Sequence, residues 1–119
     1  MTSEQKHVFT FNPADFPSVS SLKIGIVVSE WNKEITEAMF RGAKETLLSS
    51  GIKKENIFRS YVPGSFELPL GALRNFEKNR CDAVICIGCV IRGYTPHFDF
   101  ICSAVSNGIM DLNLKHKTP

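Results

Sequence analysis

The chain has 119 residues, 43% hydrophobic and 22% charged, with 14 Lys and Arg against 12 Asp and Glu for a formal net charge of +2. One domain of this size buries enough apolar surface to fold without a metal or disulfide staple. The small net charge, with no dense Lys/Arg run, excludes a nucleic-acid surface, and the longest apolar stretches are of strand length, too short for a membrane span.

Residues 1–21 read as an N-terminal arm. Phe9, Phe11, Pro13 and Pro17 follow no sustained period, so the arm is either a disordered tail or a segment lying against something, such as another subunit. The polar start has no charged-then-apolar export pattern. A cytoplasmic location is therefore expected, with Cys81, Cys86, Cys89 and Cys102 as thiols.

Leu22 to Val28 is a near-continuous branched run, the pattern of a strand buried on both faces. The segment after Ser29 predicts a helix whose buried stripe is Ile35, Met39, Ala43 and Leu47, widened by Ala38 and Thr46, with Gly51 as its stop. Asn56 to Val62 is a second strand, and Pro63-Gly64 a sharp turn. Phe66 to Asn79 is a second helix that accommodates Pro69 in its first turn. Ala83 to Ile91 is a third buried strand, and Pro96 to about Leu114 a third helix. This β-α-β-α-β-α alternation predicts a parallel sheet with helices on both faces. The third strand is expected to have an open edge, so that something should follow Pro119.

Ligands of open α/β sheets sit at the carboxyl ends of the strands. Three loops leave those ends: Ser29 to Asn32, Pro63 to Glu67, and Arg92 to His97. Trp31, the only tryptophan, either stacks on a planar heterocycle or packs the helix start. Thr95 suits an N-cap, with Pro96 in the first helical position, and such a helix terminus attracts phosphate through free amides and its dipole. His97 is either a proton-transfer group or a surface histidine, and Asp99 either orients it or favours the helix start. Glu67 bonds a ligand hydroxyl or answers the helix dipole. Arg92 attracts an anion or is a solvated rim charge. His7 and His116 lie at the chain ends and receive no role. Cys86 and Cys89 have metal-like spacing, but residues three apart in a strand point to opposite faces, so both read as small buried apolar residues and no metal is expected.

Val62-Pro-Gly-Ser-Phe-Glu-Leu-Pro69 closely resembles the second-strand loop of the lumazine synthases. Gly88-Cys-Val-Ile-Arg-Gly-Tyr-Thr-Pro-His-Phe-Asp99 resembles that family's phosphate loop and catalytic helix, and Trp31-Asn32 its aromatic-Asn pair. The resemblance runs from about residue 22 to 119, which gives a core domain 22–119 after the arm. It implies a flavodoxin-like three-layer α/β/α sandwich with a central parallel sheet.

The reaction implied is condensation of 5-amino-6-(D-ribitylamino)uracil with 3,4-dihydroxy-2-butanone 4-phosphate to 6,7-dimethyl-8-ribityllumazine, releasing phosphate, in riboflavin biosynthesis. No cofactor is implied. The resemblance makes Trp31 the stack for the pyrimidine. Ser65, Phe66 and Glu67 hold the ribityl chain, and Cys89, Val90 and Ile91 line the pyrimidine pocket. Tyr94 and Thr95 hold the phosphate, and His97 transfers protons. Tyr94 is bulkier than the family's usual residue there. Family members continue past the Thr-Pro with a fourth strand and two helices, which bring an aromatic for a neighbour's site and a basic residue for the phosphate. They form pentamers or shells of pentamers, and the arm is expected to add to a neighbour's sheet. Two alternatives stand beside this one: an archaeal-type riboflavin synthase, and a non-catalytic flavin- or lumazine-binding or shell-forming homologue.

Overall fold

A computed structural model describes residues 12–119; Phe9, Phe11 and the rest of the arm before Asn12 lie outside the described residues. Six main elements follow in order: β1 (Ile24–Ser29), α1 (Lys33–Ser49), β2 (Ile57–Val62), α2 (Leu68–Asn79), β3 (Ala83–Ile87) and α3 (His97–His116). The strands form one parallel sheet in the order β2-β1-β3. All six residues of the central β1 are buried, as its unbroken apolar run requires.

The two sheet faces follow the alternation of side chains along β1. Ile24, Ile26 and Val28 join Phe40 and Ile52 in one core cluster, against which Ala43 and Leu47 of α1 pack. Val27 joins Val62, Leu68 and Ala72 in the other, flanked by Val105 and Leu112 of α3. Thus α1 covers one face, and α2 and α3 cover the other. This is the flavodoxin-like α/β/α arrangement. No helix among the described residues is long and apolar enough to cross a membrane.

The stripe expected on α1 is only half right. Ile35 and Met39 are about half exposed and Ala38 and Thr46 are exposed, while Thr36 and Phe40 are buried. A strict four-residue repeat drifts about 40° per step around a helix of 3.6 residues per turn. Ile35 and Met39 therefore start off the core, and the stripe enters it only by Ala43 and Leu47. The true line runs Thr36, Phe40, Ala43, Leu47. Thr36 belongs to it because its hydroxyl donates to the Ser29 carbonyl at 2.9 Å, which satisfies a fully buried polar group.

Gly51 ends α1 as expected, at φ 101°. The Ile52 amide donates to the Leu47 carbonyl and the Gly51 amide to the Leu48 carbonyl, both at 3.1 Å. This is a Schellman motif, closed by the apolar pair Ile52 and Leu47 on the core.

Other boundaries move slightly. Lys54–Asn56 is a short 3-10 turn before β2, and Ser65–Glu67 another before α2. Helix α3 starts at His97 rather than Pro96. The third strand stops at Ile87 rather than Ile91, because its ladder with β1 runs out at Val28 opposite Ile87. Cys89, Val90 and Ile91 therefore belong to the loop. The opposite-face argument for Cys86 and Cys89 does not apply, since only Cys86 is in the strand.

Asn75 of α2 is buried and ties the helix to β2. Its amide nitrogen donates to the Phe58 carbonyl and the Ser60 hydroxyl, both at 2.9 Å, and its side-chain oxygen accepts from Asn79 at 3.1 Å. Asn75→Ala should cost about 1–3 kcal/mol in stability, because it strands buried partners without water. Chemical denaturation checks this, and a midpoint equal to that of the parent chain would contradict it.

Candidate active site

The strand order places a switch point between β1 and β3: the chain leaves β1 towards β2 in one direction, and β3 lies on the other side. Ligand crevices of open α/β sheets form outside the carboxyl ends at such a point. The loop after β1 carries Trp31 and the loop after β3 runs from Gly88 to Pro96, so these two flank the crevice, while Ser65, Phe66 and Glu67 follow β2.

The loops after β1 and β2 are locked together. The Glu30 amide donates to the Val62 carbonyl at 2.8 Å, and the Trp31 amide to the Pro63 carbonyl at 3.1 Å. Asn32 then turns the chain into α1 in a left-handed conformation, φ 60°, which Asn tolerates better than most residues. Trp31 is 67% exposed, so most of the indole is open to a ligand.

Glu67 lies beside it. One carboxylate oxygen accepts the Gly64 amide at 3.0 Å. The other has no partner among the described residues and is free to accept from a hydroxyl. Glu67 thus serves the turn before α2 and keeps one carboxylate oxygen open. Phe66 is exposed. Ser65 is buried, and its hydroxyl donates to the Cys89 carbonyl at 3.4 Å, bridging the loops after β2 and β3. Gly88 makes the close approach possible: a β-carbon there would collide with the Ser65 hydroxyl and stand 2.8 Å from Leu68. Cys89 and Val90 are half-buried and Ile91 is exposed.

The loop from Arg92 to Pro96 is exposed throughout, as is His97. Pro96, not Thr95, is the N-cap by position. The Thr95 oxygen still accepts the His97 amide, at 3.4 Å, which leaves the hydroxyl hydrogen free to donate outward. The amides of Tyr94, Thr95 and Phe98 have no partner among the described residues, so they are available to an anion.

Asp99 does not orient His97. It pairs with Arg92 at 3.2 Å, and the Arg92 guanidinium lies 4.3 Å from the centre of the Phe98 ring. Arg92 is thus a solvated rim charge that also staples the helix start. Both partners are exposed, so the pair matters for loop geometry rather than stability. Sequence reasoning missed this staple, although the seven-residue spacing of Arg92 and Asp99 across a Gly-containing loop was a visible signal.

Among the described residues, the cysteines join no group of His, Cys, Asp and Glu that could hold a metal ion. All four are free thiols. Burial pushes the Cys86 thiol up to about 11, which leaves it protonated and inert.

These features define an α/β protein of the flavodoxin-like type, with an exposed indole and a helix start bearing open amides on the two sides of its switch point. The sequence model of the 6,7-dimethyl-8-ribityllumazine synthase family matches residues 21–119, and the chain belongs to that family. A 6,7-dimethyl-8-ribityllumazine synthase of Cytophaga hutchinsonii is 54% identical over 119 residues, which cover all of this chain and 74% of the relative. That of Parabacteroides distasonis is 49% identical over the same span, again 74% of the relative. That of Bacteroides fragilis is 52% identical over 98 residues, 82% of this chain and 68% of the relative.

Proposed function

We propose that the chain condenses 5-amino-6-(D-ribitylamino)uracil with 3,4-dihydroxy-2-butanone 4-phosphate to 6,7-dimethyl-8-ribityllumazine, releasing phosphate and water. One observation carries the reading: an exposed indole after β1 and a helix start bearing Thr95 and His97 after β3 flank one switch point, in a chain 54% identical to a relative of that name. Trp31 stacks on the pyrimidine. Ser65, Phe66 and Glu67 hold the ribityl chain, Glu67 through its free carboxylate oxygen. Cys89, Val90 and Ile91 edge the pyrimidine pocket with their backbone. Tyr94 and Thr95 hold the phosphate, Tyr94 through its amide, so that its bulk points away without cost.

The chemistry asks little of the protein beyond position and protons. The substrate amine attacks a ketone, so protons must leave nitrogen and reach oxygen. His97 suits both transfers. As phosphate departs, the amides and dipole of the α3 start stabilise the developing dianion. Holding two reactants in one pose supplies much of the remaining rate.

The site is shared between copies of the chain in a pentamer or a shell of pentamers. The cavity bounded by Ser65, Gly88, Val90 and Cys102 is about 200 Å³, below the roughly 300–1,000 Å³ usual for small-molecule sites. A neighbour's wall would complete it. Helix α3 supports such packing: none of its residues is buried, and Phe100, Met110 and Leu114 are exposed. A groove of about 620 Å³ along the free edge of β2, beside α2, gives room for the N-terminal arm (residues 1–21) of a second copy.

The test is to mix the protein with both substrates and follow lumazine absorbance together with phosphate release. One lumazine per phosphate is expected. Binding of the pyrimidine with no lumazine formed would replace the reading with that of a non-catalytic binder. Thr95→Val should weaken inorganic phosphate by about tenfold or more, the worth of a hydrogen bond to an anion, and leave the pyrimidine nearly unaffected. Calorimetric titration checks this, and an equal fall in both affinities would point to damage of the fold instead.

A further inference from the structure

We propose that Gly64 is a positioning residue for Trp31: its missing side chain is the seat on which the indole rests. A β-carbon at position 64 would stand 2.7 Å from Cε3 and 2.9 Å from Cζ3 of Trp31, well inside the roughly 3.5–4.0 Å at which carbons pack. Backbone conformation does not explain the glycine. Gly64 has φ −140° and ψ 179°, extended values open to any residue. The space taken by the indole explains it.

Both backbones are tied. The Trp31 amide is held by the Pro63 carbonyl at 3.1 Å, next to the bond from Glu30 to Val62. The Gly64 amide is held by the Glu67 carboxylate at 3.0 Å. A β-carbon would therefore act on the side chain, turning the indole off its seat. It would also stand 3.4 Å from the Glu67 carboxylate. That is ordinary contact, so the collision is with the indole alone. The functional weight of the seat rests on the reading of Trp31 as the pyrimidine stack; the seat itself does not.

Gly64→Ala tests the proposal. Trp31 is the only tryptophan, so its fluorescence reports the seat with no substrate present. The emission maximum of the variant should shift and acrylamide quenching should rise. The KM for the pyrimidine should increase about fivefold or more, approaching the loss of one aromatic stack, with kcat held within about twofold. Unchanged emission and quenching would overturn the proposal. Shifted emission with an unchanged pyrimidine KM would uphold the seat and remove the stacking role from Trp31 instead.

A double-mutant cycle covers failure to fold. In a Trp31→Ala background the collision is absent, so Gly64→Ala should add nothing to KM or to the melting temperature. If Gly64→Ala misfolds while the double variant folds, the indole is identified as the obstacle. If both misfold, or the two effects simply add, the β-carbon meets something other than the indole and the proposal fails.

Discussion

Replacing His97 by alanine is expected to slow turnover at saturating substrates by roughly tenfold to a few hundredfold, at or below the usual range for general acid–base catalysis. The structure supports a modest figure. His97 opens α3 and is exposed, and its ring has no bonding partner among the described residues. Asp99, the nearest carboxylate in sequence, is engaged by Arg92. No second side chain holds the imidazole among the described residues, and solvent can replace part of its work. Its backbone amide, which donates to the Thr95 hydroxyl oxygen, remains in the variant, so both substrates should still bind. Turnover measured from neutral to alkaline pH is the check. Full activity across that range would remove the proton-transfer role from His97.

Trp31→Ala should raise the KM for the pyrimidine by an amount equivalent to about 1–3 kcal/mol, by analogy with base stacking on aromatic side chains. The phosphate substrate should be little affected, since its proposed contacts lie on the loop after β3. Stability should change little as well: the indole is 67% exposed, and the loop is held by the Trp31 backbone rather than by its ring. Titration of the pyrimidine against the variant decides the matter, and an unaltered affinity would leave the indole without a role in binding.

Much of the fold was legible because its signals are local. The branched run of β1 can only be a strand buried on both faces, and Gly51 stops α1 in the conformation glycine permits. What escaped depends on partners. Ile35 and Met39 look like core residues in a four-residue repeat, yet the sheet meets α1 along Thr36 and Phe40. Thr36 is polar and enters the core only because the Ser29 carbonyl accepts its hydroxyl. The apolar letters continue to Ile91, but β3 has no ladder after Val28 and Ile87.

The site divides in the same way. The three loops could be placed because strand ends fix them, and the family motifs supply the residue types. The use of Gly64 by Trp31, and of Ser65 by Cys89, could not be read. Each joins loops separated in sequence and depends on the relative position of strands. Arg92 and Asp99 are close in the chain, but which of its several neighbours Asp99 would choose was a question of geometry.

The uneven burial of the helices has a consequence for how the two reactants are held. The indole hangs from loops stapled to β1, every residue of which is buried. Thr95 and His97 are carried by the start of α3, which has no buried residue along its twenty. Local opening follows buried contact, so these two ends of the crevice belong to cooperative units of different stability. On the proposed reading the pyrimidine side is set by the innermost strand of the chain, whereas the phosphate side would take its rigidity from a neighbouring copy packed on the exposed flank of α3.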